Sequence, residues 1–360
     1  MITSPDSPEL DELCVKLREG AVELDRTPRW PEEQLRLCGE YGVYEWFLGR
    51  EWGGQAWSEE QVVRGYLALS KACLATTFII TQRSGACRRI EGSGNDALQQ
   101  RLLPGLASGQ LFATVGLSHL TTSRRHLAKP VLTAEAIPDG FRLDGMSPWV
   151  TGGAAADVIV LAATLTEGGT ATDEQLIIAV PTNLPGVSVP EPLRLIGVSA
   201  SSTGPVHLER VDVSDEWLIA GPMRNVMASG VGAGTGGLET STLAVGLAEA
   251  AIDFLAEEAA RRADLQRAAA ALRSEHEQLR DNLLATARGE SRATKESVRQ
   301  QANSLVLRAS QAALAAAKGS GYVVGHPAGR WCREALFFLV WSCPQPVAAA
   351  NLCELAGIQD

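Results

Sequence analysis

The residues of this 360-residue chain that could do chemistry are scattered, not gathered in one motif. His119, within FATVGLSHLTTS, is of the side-chain type whose ordinary pKa best suits proton exchange near neutrality. Arg124 and Arg125 follow shortly after; a guanidinium pair can hold a phosphate, and a solvated loop face is the alternative. Gly232, Gly234 and Gly237 in GVGAGTGG match the glycine spacing of a dinucleotide-binding turn. That turn needs a strand before it and an acidic strand end about 20 residues later. Here RNVMAS is a poor strand, and Glu257 and Glu258 fall within a helical pattern, so the segment reads as a loop entering a helix. Cys343 before Pro344 has no histidine near it and reads as a structural thiol. No GxSxG turn occurs and His326 stands beside Pro327, which sets a Ser-His-Asp hydrolase aside. The 7 cysteines include no CxxC pair, so neither a disulfide framework nor a zinc site is expected.

The elements that must position these residues change character twice. From Pro8 to about Ser108 the apolar spacing is helical, as in Leu13, Leu17 and Val22 and again in Val62, Val63, Tyr66, Leu67 and Leu69. Ser58, three residues before Gln61, predicts a capping box. After Gly109, short β-branched runs such as Phe112 to Val115, Val158 to Ala163, Leu176 to Val180 and Val206 to Leu208 alternate with turn residues. From Leu238 onward, LAVGLAEAAIDFLAEEAARR is Ala-rich and free of proline, and further helices follow. Strands and helices are thus segregated, which argues for an α+β multidomain chain and against a doubly wound α/β fold. The expected units are an N-terminal helical domain over 1–110, a middle β-barrel or sandwich domain over 111–222 and a C-terminal four-helix bundle over 223–360.

This order resembles that of the acyl-CoA dehydrogenase superfamily, and the resemblance runs from about Trp30 to Gly357. WPEEQLRLCGEYGVYEW, EWGGQAWS and NDALQQRLLPGLASGQ look like its N-terminal structural signatures. FATVGLSHLTTS and GFRLDGMSPWVTGGAAADVIVLAA look like its flavin-contacting loop and its strand-turn-strand. The resemblance implies FAD. It places Trp149 against the isoalloxazine ring, directs the Thr151 hydroxyl toward the ring's polar edge, and sets Leu117 and Ser118 beside the pyrimidine side. Preorganised donors there would stabilise the charge that develops on reduction. It also implies that Arg262, in VGLAEAAIDFLAEEAARRADLQ, reaches the FAD of a neighbouring subunit, hence a homodimer or homotetramer. The pattern departs from the family where Ser118-His119-Leu120 replaces Thr-Glu-Pro, where Thr122-Ser123-Arg124 replaces Gly-Ser-Asp, and where Asp264-Leu265-Gln266 replaces an aromatic-glycine pair.

The departure with most chemical weight lies in KGSGYVVGHPAGRWCREALFFLVWSCPQP, which resembles the segment bearing the family's catalytic glutamate. At that position stands Ser342, and a lone serine is no base near neutral pH. Glu239, about one helical turn from an alternative base position near Gly236, is the candidate replacement, with a helix-start charge as its other reading. Three functions follow from the resemblance: an acyl thioester dehydrogenase; a flavin-dependent monooxygenase with His119 managing a proton and a reductase or other electron-transfer partner supplying electrons; or a cofactor-free scaffold.

The remaining composition narrows the partners. A formal net charge of −10 repels phosphate backbones and anionic membranes, so nucleic acid is not expected. The acidic start MITSPDSPELDEL lacks the basic and apolar regions of a signal peptide, and no apolar run spans a membrane, so a soluble cytoplasmic protein is expected.

Overall fold

In the computed structural model, described for residues 1–121, 130–230, 237–290 and 293–358, helices open and close the chain and strands occupy its middle. The first helices are α1 (Pro8–Arg26), α2 (Glu32–Glu40), α3 (Glu59–Ala72), α4 (Leu74–Glu91) and α5 (Asp96–Ala107). The expected capping box starts α3: Ser58 Oγ accepts from the Gln61 amide at 3.3 Å, and the Ser58 amide donates to Gln61 Oε1 at 2.9 Å. α4 departs from simple amphipathicity. Both its apolar residues (Leu74, Phe78, Ile79, Ile80, Cys87, Ile90) and its Arg83 and Arg89 are buried, so it is enclosed on several sides.

The strands are β1 (Ala113–Gly116), β2 (Leu132–Ile137), β3 (Gly140–Thr151), β4 (Val158–Glu167), β5 (Thr170–Pro181), β6 (Val187–Ser188), β7 (Thr203–Ser214) and β8 (Leu218–Arg224), with a short helix α6 (Ser118–Thr121) after β1. They join in one mixed sheet in the order β6-β7-β3-β2-β4-β5-β8, with β1 parallel to β4. β4 is covered on both faces, which explains its unbroken apolar run. Val158, Val160 and Ala162 pack with Cys87, Ile90 and Leu103 of the helices, while Ile159, Leu161 and Ala163 pack with Val206 and Val211 of β7.

The chain closes with α7 (Glu239–Ala259), α8 (Ala263–Ala287), α9 (Lys295–Ala317), α10 (Pro327–Leu336) and α11 (Gln345–Leu355). α7 packs on α3, α8 and α9, and one apolar cluster runs from Leu13 and Ile79 through Leu243 to Leu305 and Phe338. The N-terminal and C-terminal helices therefore share a core. Two polar ties cross the α3–α7 seam. Ser70 Oγ donates to the Leu243 carbonyl at 2.7 Å, and Lys71 Nζ reaches Glu249 at 2.9 Å and Asp253 at 2.6 Å. Glu249 is thus part-buried, and its other oxygen lies 3.7 Å from Nε2 of the buried His276. Among the described residues, no helix is long and apolar enough to cross a membrane, and no group of His, Cys, Asp or Glu could hold a metal ion.

At Gly246 the two helices approach so closely that a Cβ would stand 2.6 Å from the Leu67 carbonyl oxygen. Gly246→Ala is therefore expected to destabilise the chain by about 1–3 kcal/mol in urea unfolding; an unchanged midpoint would mean that the seam relaxes freely.

Candidate active site

β3 ends in the sequence Trp149-Val150-Thr151, and alternation along a strand sends Val150 to the face opposite its neighbours. Val150 is 1% exposed and packs in the sheet core, whereas Trp149 is 50% exposed. Thr151 is buried, and its Oγ1 lies 2.9 Å from Thr203 Oγ1, which lies 2.8 Å from Ser201 Oγ. Three hydroxyls thus form a buried row. Gly152 in the left-handed region (φ 64°) turns the chain back onto it, its amide donating to the Ser201 carbonyl at 3.1 Å. The row escaped sequence reasoning because Ser201 and Thr203 lie some fifty residues from Thr151, and nothing local marks them as its partners.

Leu117 is buried in the core under the sheet, and Ser118 opens α6. His119 turns inward. Its Nε2 donates to the Ala162 carbonyl of β4 at 2.8 Å, which assigns the tautomer, and among the described residues the buried Nδ1 has no hydrogen-bond partner. Burial lowers the His119 pKa, and the bond to Ala162 only partly offsets this.

Glu239 is the first residue of α7, where a negative charge suits the helix dipole. It is not free. Arg88 on α4 donates Nη1 to Glu239 Oε1 at 2.7 Å, and both side chains are 25% exposed. α4 also meets β1, since a Cβ on Gly85 would lie 3.7 Å from Val115. One helix consequently links Glu239 to the strand that leads into Leu117 and Ser118.

The turn bearing Ser342 is pinned as well. Phe78 of α4 packs edge-on against Trp341 at 4.8 Å, and Trp341 stacks on Phe337 at 5.1 Å. From α9, Arg299 Nη2 donates to the carbonyls of Phe338 at 3.1 Å and Trp341 at 3.0 Å, and its Nε donates to Asn303 Oδ1 at 2.8 Å. Burial lowers the Arg299 guanidinium to about 10. Ser342 itself adopts φ 45°, uncommon for a residue with a side chain. Arg299 and Asn303 were missed from the sequence because in a helical pattern they read as ordinary polar positions.

The phosphate candidates divide. Arg262 is engaged within its own chain: Nη1 donates to the Ala316 carbonyl near the end of α9 at 2.7 Å, with Glu258 at 3.7 Å and Asp264 at 3.4 Å. Arg124 and Arg125, like Gly232, Gly234 and Gly236, lie outside the described residues.

Residues 13–110 match the family model of the acyl-CoA dehydrogenase N-terminal domain. A glutaryl-CoA dehydrogenase of Desulfococcus multivorans is 26% identical over 212 residues, which cover 58% of this chain and 54% of that protein. The chain spans about half the length of the first curated relatives it matches. The structure of butyryl-CoA dehydrogenase from Megasphaera elsdenii superposes with a TM-score of 0.83 at 17% identity, covering 98% of each chain. A dibenzothiophene monooxygenase of a Paenibacillus species superposes with a TM-score of 0.80 at 16% identity, covering 96% of this chain and 95% of that one. At such identities these likenesses establish the fold, which hosts more than one chemistry.

The inward-turned, part-buried His119 makes stability depend on pH. An unfolded histidine takes up its proton near 6.5, whereas the folded chain resists protonation until lower pH, so stability falls as pH drops through that window. His119→Gln keeps an N–H donor for Ala162 but removes the titration, and a shallower loss of Tm between about pH 7 and about pH 5 is expected. A curve parallel to that of the parent would count against it.

Proposed function

This chain belongs to the acyl-CoA dehydrogenase superfamily, and we propose that within it the protein is an FAD-dependent oxidoreductase acting on an acyl thioester or a related small molecule. The observation that carries this reading is the half-exposed Trp149 two residues from Thr151, whose hydroxyl heads the row to Thr203 and Ser201. A flat heteroaromatic ring laid on the indole would cover its exposed face. The Thr151 hydroxyl can accept from Thr203 and donate outward, or the reverse, so it can serve an acceptor on that ring without leaving Thr203 unsatisfied.

The residues present therefore fit an isoalloxazine. Trp149 would stack on it, Thr151 would donate to its polar edge, and Leu117 and Ser118 would border its pyrimidine side. FAD, when bound, supplies the hydride acceptor. Arg124 is the candidate for the pyrophosphate. Arg262 would have to leave Ala316, Glu258 and Asp264 to reach a cofactor across a homodimer or homotetramer seam.

For removal of a proton α to a thioester, Glu239 is the proposed acceptor, since Ser342 has no usable basicity. Arg88 would orient that carboxylate. The absence of a carboxylate at 342 also favours a second reading, a monooxygenase that needs no such base. His119 gives that reading little help, because its ring faces Ala162 in the sheet interior.

Purified protein is expected to be yellow and to release FAD on denaturation; a colourless protein that takes up no added FAD would leave only a scaffold. Trp149→Ala should lower bound flavin several-fold, and unchanged content would show that the ring does not pack there. Anaerobic mixing with acyl-CoA thioesters should bleach the flavin band. Glu239→Gln should abolish that bleaching while keeping the cofactor, and retained bleaching would remove Glu239 as the base. No bleaching by any thioester, with oxygen consumed once a reductase supplies electrons, would select the monooxygenase.

A further inference from the structure

α10 turns Arg330, Arg333 and Glu334 toward α1 and the segment from Leu195 to Ala200, and between these elements lies a cavity of about 130 Å³. One water needs roughly 10–15 Å³ of such volume, so the space admits a molecule of several non-hydrogen atoms. Part of its wall is apolar, formed by Leu24, Pro28, Leu195 and Ile196.

Two of its polar side chains each carry an atom without a hydrogen bond among the described residues. Arg330 is 6% exposed and, among the described residues, its Nη1 has no hydrogen-bond partner; Glu334 is 4% exposed and its Oε2 has none either, being held only in an ion pair with Arg330 Nε at 3.6 Å. The other charged or titratable groups around Glu334 do not meet this demand. Arg333 Nη2 donates to both oxygens of Asp25 on α1, at 2.5 and 2.7 Å, and the Cys73 thiol, pushed up by burial, stays neutral.

The two unmet groups differ in how they can be relieved. A guanidinium cannot shed its proton, so Arg330 requires an acceptor. A carboxyl can take a proton, and burial pushes Glu334 up to about 7, against which the nearby Arg330 acts only in part. Once protonated, Glu334 is a donor as well. Arg330 and Arg333 then face only the negative charge of Asp25, leaving the cavity with an excess positive charge.

We propose that this cavity binds a small monocarboxylate with a short alkyl tail, held by the Arg330 guanidinium and the Glu334 carboxyl while the tail meets Leu195 and Ile196. Neither Trp149, Thr151 nor Glu239 lines it, so the site is independent of the flavin reading and can be tested without flavin.

The test is thermal unfolding of the purified full chain in sodium propionate against matched sodium chloride, at about pH 6 and about pH 8. Propionate should raise Tm by about 2 °C or more, with the larger rise at the lower pH. Propionamide and ethylammonium should not. Arg330→Gln should lose the shift, and Glu334→Gln, which keeps an N–H donor but does not titrate, should keep it without its pH dependence. The second variant decides the matter if the first does not fold. Equal Tm in propionate and chloride at both pH values, a shift surviving Arg330→Gln, a pH-dependent shift in Glu334→Gln, or an equal response to propionamide or ethylammonium would overturn the proposal.

Discussion

Three arginines of one helix, two of them buried and one a quarter exposed, constrain much of this structure. α4 lies between the N-terminal helices, the sheet and α7, and each of its arginines must find acceptors there, because a buried unpaired charge is costly. Arg83, only 1% exposed, donates to the Leu106 carbonyl at the end of α5 and lies over the Tyr44 ring at 3.8 Å. Arg88 takes Glu239, and Arg89 donates to the Gly85 carbonyl at 2.9 Å. The bonds of Arg83 and Arg88 each fix a neighbouring helix. The link into β1, the start of α7 and, through Phe78, the Ser342 turn are all referenced to the same helix.

That arrangement bears on the chemistry. The candidate carboxylate at 239 is oriented by α4, while the serine at 342 sits on a turn held by Arg299 and by the Trp341 contact with α4. A flavin resting on Trp149 would lie on the sheet that α4 also abuts through β1 and Val115. A change in α4 can therefore reach all three positions without touching a reactant. A second, part-buried ionic cluster, Lys71 with Glu249, Asp253 and Arg273, plays a different part, locking α3, α7 and α8 together.

Much of the architecture was legible in the residues because the rules involved are local. The 3.6-residue spacing around Tyr66 and Leu69, the Ser58 and Gln61 box and the double-sided apolar run of β4 each express a preference settled within one element or by its burial. Before the GVGAGTGG glycines, RNVMAS begins with Arg224, the last residue of β8, and continues into a short turn at Val226–Ala228. The resemblance carried Trp149 and Thr151 to the end of one strand, and the structure adds that one is half-exposed and the other buried.

Residue types and their order thus determined the helical, β and helical succession and the resemblance that singles out Ser342. Tertiary structure decided which polar groups face one another: Arg88 with Glu239, Thr151 with Thr203, His119 with the Ala162 carbonyl, and Arg330 with Glu334 across an unfilled gap. The physical reason is range. Periodicity and caps act over a few residues, whereas a buried charge or hydroxyl is satisfied by whatever distant segment the packing brings within about 3 Å.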